Sequence, residues 1–377
     1  MSRSRRGFLA SLAAAGLGRA AVESGKGRSF PSTAARYLDP ATEFTIVRLT
    51  DPAHASVLPA SGNRALTSRT MLYASNQTGH WEAFRMDLKS RESRQLTEAG
   101  ALDVSSLAFM FNDKGLPSDK GFWHFDGERL MGTESGRLRG RELYRIPEGF
   151  EKTPGVSYGT DGQHAAFVEK KGTRFRLRVL NLQRGTAATV VESPEEIRSV
   201  RVRPKHSSLF YRVGLAPYSI QFDGQQATIL RMPAEGTGAV EWTSDGDSLL
   251  YLTQPSAQTT TASGSARRSV ALRSLRAGTG EDALIADAPQ FVHFSANADA
   301  SVFAGASVSK ASPYVMLLTR VARRELALAE HRATDASIVT PLFGPNSQFV
   351  VFGSDRHGQP AIYWISVDRF VSGTEDS

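Results

Sequence analysis

The 377-residue chain is 40% apolar and 22% charged, the balance of a folded protein rather than a disordered one. It has no cysteine, which excludes disulfides, iron–sulfur clusters and thiol nucleophiles and limits any metal site to His, Asp, Glu or backbone oxygen ligands. Of the net charge of +7, residues 1–30 carry +5 (Arg3, Arg5, Arg6, Arg19, Lys26 and Arg28 against Glu23), leaving +2 elsewhere, too little for a nucleic-acid footprint.

The first element is a leader. Ser4-Arg5-Arg6-Gly7-Phe8-Leu9-Ala10 precedes the mild apolar run from Ser11 to Gly18. Paired arginines, a Phe-Leu step and a short Ala/Gly-rich segment resemble a bacterial twin-arginine export signal. The segment is too short and too weakly apolar to span a membrane, and no later run reaches the roughly 18 to 20 residues a spanning helix needs. Residues 1–30 are therefore expected to be a signal peptide and spacer, cut near Ala20 or Ala21. The twin-arginine export machinery would be a partner, and the mature chain periplasmic or secreted without a membrane span.

From residue 44 to 370 one pattern recurs. A turn rich in Asp, Asn or Gly precedes a short β-rich strand, and a second turn leads to another strand. Trp242-Thr243-Ser244-Asp245-Gly246-Asp247-Ser248-Leu249-Leu250-Tyr251-Leu252 is the clearest copy. Turn anchors fall near Gly62, Asp113, Asp161, Lys205, Asp245, Asp299 and Asn346, at intervals of 51, 48, 44, 40, 54 and 47 residues. That is the period of a four-stranded propeller blade, repeated seven times. Short strands, frequent turns and the lack of long helical periodicity exclude an α/β fold. The expected fold is all-β, a seven-bladed β-propeller. Little chain follows the strand text at Ala361–Val367, so Phe44–Thr50 is expected to supply the missing strand of the last blade and close the ring.

These repeats resemble those of the WD40-like TolB propeller and, more closely, the oligogalacturonate lyases. The resemblance rests on three stretches: Arg48-Leu49-Thr50, the Asn76-Gln77-Thr78-Gly79 turn before Met86-Asp87-Leu88, and the ending Gly353-Ser354-Asp355-Arg356-His357-Gly358-Gln359-Pro360-Ala361-Ile362-Tyr363. It implies β-elimination on unsaturated pectin fragments, with a metal held by histidines and a glutamine in the central funnel. The cation neutralises the uronate carboxylate and acidifies the neighbouring proton, which a base removes.

Carried over position by position, His293 matches one metal histidine and Asp335 stands where the family has the glutamine. The His-Pro-His-Pro ligand stretch corresponds to Ile338-Val339-Thr340-Pro341, which keeps only the second proline. Two further family histidines fall at Ala239 or Val240 and near Tyr211. His293 and Asp335 are thus the metal-site candidates, an incomplete set for a divalent cation such as manganese. The metal-dependent elimination is accordingly expected to be absent, and the catalytic residues stay unassigned.

Other chemistry is sparse. The histidines His54, His80, His124, His164, His206, His293, His331 and His357 show no metal-motif spacing, and a surface or turn role is the plainer reading of all but His293. There is no Gly-x-Ser-x-Gly elbow and no phosphate-binding glycine loop. Arg137, Arg139 and Arg141 alternate before Leu143-Tyr144, while Arg198, Arg201 and Arg203 surround an inner-strand position. Guanidinium groups pair with carboxylates, which makes Arg201 and Arg203 candidates for substrate binding; the alternative is solvated edge residues. The expected function is binding or processing of acidic, pectin-derived oligosaccharide, by a polysaccharide lyase if it is an enzyme. The alternative is a non-catalytic TolB-like module contacting a periplasmic protein.

Overall fold

The computed structural model describes residues 25–59, 64–232, 237–253, 270–288, 291–309, 313–320 and 324–371. The Arg5-Arg6 leader, the Gly62 anchor and residues 259–265 lie outside them. The described chain forms seven antiparallel sheets, one per repeat, in the ring order of a β-propeller. The inner strands are Ser56–Val57, Leu102–Phe111, Ser157–Tyr158, Ile197–Val202, Thr237–Trp242, Phe291–Ala296 and Leu342–Phe343, for blades 1 to 7 in turn. The anchors from Asp113 to Asn346 each lie in the turn between the first and second strands of their blade. Asp recurs there because its carboxylate accepts the N–H two residues on. Asp161 does so from Gln163 (2.8 Å), Asp245 from Asp247 (2.8 Å) and Asp299 from Ser301 (3.0 Å).

Each blade is sandwiched between two others, so its middle strands bury both faces and lose the usual apolar–polar alternation. Thr70–Ser75, Val302–Ser307 and Phe349–Ser354 are buried at every position. Seven apolar clusters result, and each lies between one pair of neighbouring blades. The turns also approach one another closely. Gly246 has φ +79°, and a Cβ there would stand 2.2 Å from the Pro204 carbonyl oxygen of the previous blade, so only glycine fits.

Closure follows the expected route. Thr45–Arg48 pairs antiparallel with Ala361–Ser366, setting Ile46 against Ile365, Val47 against Trp364 and Arg48 against Tyr363. Ile46 enters the core between blades 6 and 7, and Val47 and Leu49 enter the core between blades 7 and 1. One strand therefore completes two interblade cores. Two upstream pairings add to it: Ala35–Leu38 lies outside Thr45–Arg48 in blade 7, and Ser29–Phe30 pairs with Ser93–Gln95 in blade 1. The hairpin from Ala35 to Arg48 is further pinned by Asp39. Its side chain is fully buried, accepts the N–H groups of Ala41 and Thr42, and pairs with the buried Arg356 guanidinium at 3.3 Å.

Arg139–Arg145 is the outermost strand of blade 2, and Arg137, Arg139 and Arg141 are exposed. They are edge charges of the kind that discourage sheet-to-sheet pairing. Among the described residues no helix is long and apolar enough to cross a membrane.

Truncating Ile46 removes a fully buried side chain at the ring's seam. Ile46→Ala is expected to lower unfolding free energy by about 3 kcal/mol, while Arg139→Ala on the exposed edge stays within about 0.5 kcal/mol of the parent. Denaturant unfolding of both variants checks this. Equal stability of the two would show that closure does not limit the fold.

Candidate functional site

Propeller geometry brings equivalent positions of successive inner strands side by side around the channel. The level of each residue can be counted from the turn that ends the strand. In blades 3 to 7 that turn is closed by a backbone bond of constant span: Gly159 N–H to His164 C=O, Arg203 to Ser208, Thr243 to Ser248, Asn297 to Val302 and Gly344 to Phe349, all 2.8–2.9 Å. Two residues before each donor stand Ser157, Arg201, Glu241, Ser295 and Leu342. Four residues before the donors in blades 5, 6 and 7 stand Ala239, His293 and Thr340. Two levels of the channel wall therefore carry polar groups, one around His293 and one running Ser157–Arg201–Glu241–Ser295.

His293 is half-buried on its strand, where a bulge separates it from Phe291. Burial lowers its pKa below that of a free imidazole. A backbone hydrogen bond at Ser337 and the charge of Asp335 oppose this, and the Arg201 guanidinium adds to it. The ring is thus mostly neutral at pH 7. Asp335 is exposed in the connection between blades 6 and 7, where it caps the 3-10 turn Ala336–Ile338. Its Oδ1 accepts from the Ser337 N–H at 2.8 Å and its Oδ2 from the Ser337 hydroxyl at 2.5 Å. These bonds, and then His293, hold its carboxyl below the usual range. The two residues lie within electrostatic reach of each other although 42 positions separate them.

Arg201 is held by the backbone of two blades. Its Nε donates to the Val240 carbonyl (3.1 Å) and its Nη1 to the Val200 carbonyl (2.9 Å), while the Trp242 indole N–H donates to the Arg201 carbonyl (3.2 Å). The guanidinium is felt by both His293 and Glu241. Arg212 adds a second buried cation; its Nη2 donates to the Gly238 carbonyl at 3.1 Å. Burial, with Arg198 and Arg201 nearby, brings its pKa down to about 10. Arg203 belongs elsewhere. It leaves the strand at the turn, donates from Nε to the Gly246 carbonyl at 2.6 Å and lies over the Trp242 ring at 5.4 Å. His293, Asp335 and Arg201 are therefore brought together, and Arg203 is at the opposite mouth of the channel.

As a metal centre the donor set does not fit. Among the described residues no three His, Cys, Asp or Glu side chains converge. One imidazole and a carboxylate already accepting two hydrogen bonds fall short of the three or four ligands a first-row metal needs. Other histidines have structural partners: His331 Nε2 meets the Ser307 carbonyl at 2.9 Å while its Nδ1 accepts from Ala333, His164 meets Asp161 at 2.6 Å, and His357 meets the Tyr363 hydroxyl at 2.9 Å.

Sequence reasoning missed Glu241 and Ser295. Each lies two residues before the donor that closes its blade's turn, as Arg201 does, so aligning the repeats on that donor is the signal that finds them. Burial raises the Glu241 pKa, opposed by the charges of Arg64 and Arg201.

The electrostatic coupling at His293 has a direct test. Asp335→Asn removes the negative charge that supports imidazolium, so the His293 pKa is expected to fall further below its parent value, read from ring-proton chemical shifts across a pH titration. An unchanged or higher value would separate the two residues.

No family model matches the chain. Two curated proteins do so at full length: the oligogalacturonide lyase of Pectobacterium atrosepticum, 24% identical, and the oligogalacturonate lyase of Dickeya dadantii, 22% identical. Each alignment covers 92% of this chain and 99% of the relative. Among solved structures, an oligogalacturonate lyase in complex with manganese superposes with a TM-score of 0.83 at 20% identity, covering 93% of this chain and all of that one. The oligogalacturonate lyase of Vibrio parahaemolyticus gives 0.81 at 18% identity, with 91% and 99% covered. With near-complete coverage in both comparisons, the chain resembles the oligogalacturonate lyases along almost its whole length and shares their seven-bladed fold.

Proposed function

We propose that the protein is an exported propeller that binds acidic, pectin-derived oligosaccharide in its channel and lacks the metal-dependent elimination. The observation that carries the reading is the electrostatic convergence of His293, Asp335 and Arg201 from two inner strands and one interblade connection. Arg201 supplies a cation for a uronate carboxylate, and its backbone bonds hold it in place at no cost to the ligand. The neutral His293 ring accepts or donates one hydroxyl hydrogen bond. Asp335, ionised and exposed at the channel mouth, accepts from sugar hydroxyls. The names of the matched relatives support the substrate class, and the short donor set argues against a resident transition metal.

Digalacturonate titrated into purified protein is expected to bind with the same affinity in manganese and in chelator, without release of unsaturated uronate. His293→Ala should weaken binding about tenfold, the loss of one good polar contact. Vigorous elimination with a stoichiometric metal would overturn the non-catalytic reading. Unchanged affinity in His293→Ala would remove that residue from the site.

Export rests on Arg5 and Arg6. Replacing both with lysine keeps the charge but loses the planar guanidinium geometry, so the variant is expected to accumulate unprocessed in the cytoplasm, as fractionation would reveal. Normal periplasmic recovery would dismiss the leader assignment.

A further inference from the structure

The inner strands run from the interblade connections, where Asp335 lies, to the turns that carry the anchors. At the turn end the channel widens into a cavity of about 600 Å3, within the size range of small-molecule sites. All seven blades contribute to its wall, and its deeper part is polar. Glu241, Ser295 and Arg64 line it, beside Trp242. None of these positions belongs to the His293 group at the other mouth.

Three features of this wall ask for a ligand. Among the described residues the buried Glu241 Oε2 has no hydrogen-bond partner, and the same holds for the Ser295 hydroxyl on a residue only 4% exposed. Leaving a buried polar group unpaired is unfavourable, so two beside one cavity are a deficit that a bound polar molecule would offset. Arg64 is the third. Its side chain makes no hydrogen bond among the described residues, although its charge reaches Glu241. Its donors stay available, whereas Nε and Nη1 of Arg201 behind Glu241 are committed to backbone carbonyls.

The combination selects a chemical class. A bare anion would satisfy Arg64 but meet the Glu241 carboxylate unfavourably. A neutral polyol would satisfy Glu241 and Ser295 but leave the guanidinium unused. A molecule with one carboxylate and several hydroxyls satisfies all three. The cavity lining also holds Lys114, Lys205 and Arg203 against Asp113 and Asp161, a small cationic excess. We infer that the turn-side cavity is a binding site for a small hydroxylated carboxylate, its acid group on Arg64 and its hydroxyls on Glu241 and Ser295.

This site stands independently of the channel reading, and its test has its own reporter. The Trp242 indole N–H resonance, assigned from the Trp242→Phe spectrum, is followed while the full chain is titrated with galacturonate, galactose or acetate. Galacturonate is expected to shift it saturably, with galactose and acetate each at least about tenfold weaker. Glu241→Gln, isosteric and neutral, and Arg64→Met should each weaken the galacturonate response about tenfold. The His293→Ala protein, which probes the other mouth, retains it, so either reading can fail alone. An unmoved Trp242 resonance, an equal response to galactose, or undiminished affinity in both Glu241→Gln and Arg64→Met would overturn the inference.

Discussion

Everything in this molecule depends on the pairing of Thr45–Arg48 with Ala361–Ser366. Each interblade core needs two blades, so a ring of seven has seven cores and an open arc of seven has six. The closing strand supplies Ile46 to one core and Val47 and Leu49 to the next. Burying such side chains contributes about 1.5–3 kcal/mol apiece, against a net stability of roughly 5–15 kcal/mol for a domain. Opening the seam would consume much of that margin and expose two unpaired strand edges.

Closure also creates the channel chemistry. Arg201, Glu241 and Ser295 are separated by 40 and 54 residues, yet they share one level because their turns close with the same backbone bond. Arg201 then sits between two titratable groups of opposite character. His293 is shifted toward its neutral form by burial and by that cation, and Glu241 is shifted toward its neutral form by burial despite it. The wall thus combines an anchored cation, a neutral imidazole and a carboxyl that gives up its proton reluctantly. That combination suits polar recognition better than metal capture, which requires several converging, deprotonated donors.

The stretch most specific to the family resemblance has a structural task here. Ser354 donates to the His331 carbonyl at 2.5 Å, and Asp355 accepts from the Thr334 N–H at 2.9 Å. Arg356 pairs with Asp39 and donates to the Glu330 carbonyl at 2.9 Å. His357 meets Tyr363. The motif binds the N-terminal hairpin and the connection between blades 6 and 7 to the last blade. Its side chains hold the connection that carries Asp335, so a structural motif and a candidate site are joined through a few hydrogen bonds.

The repeat period, the blade count and the closing strand were all legible in the chain by itself, because each is a local pattern. Turn chemistry is local: an aspartate that accepts the N–H two residues on marks its turn whatever surrounds it. His293 and Asp335 were named through the family resemblance, and Arg201 as a guanidinium at an inner-strand position just ahead of a turn. Which arginines face the channel could not be read from the chain. Arg139 and Arg141 alternate as regularly as Arg201 and Arg203, but the former lie on an outer edge and the latter reach different mouths of the channel. Only tertiary structure decided that, because strand alternation assigns a side chain to a face, while the neighbouring blade determines what that face meets. Glu241 and Ser295 went unnoticed because a single glutamate or serine in a strand carries no local signal. They matter through burial without a partner, and burial exists only once the ring has closed.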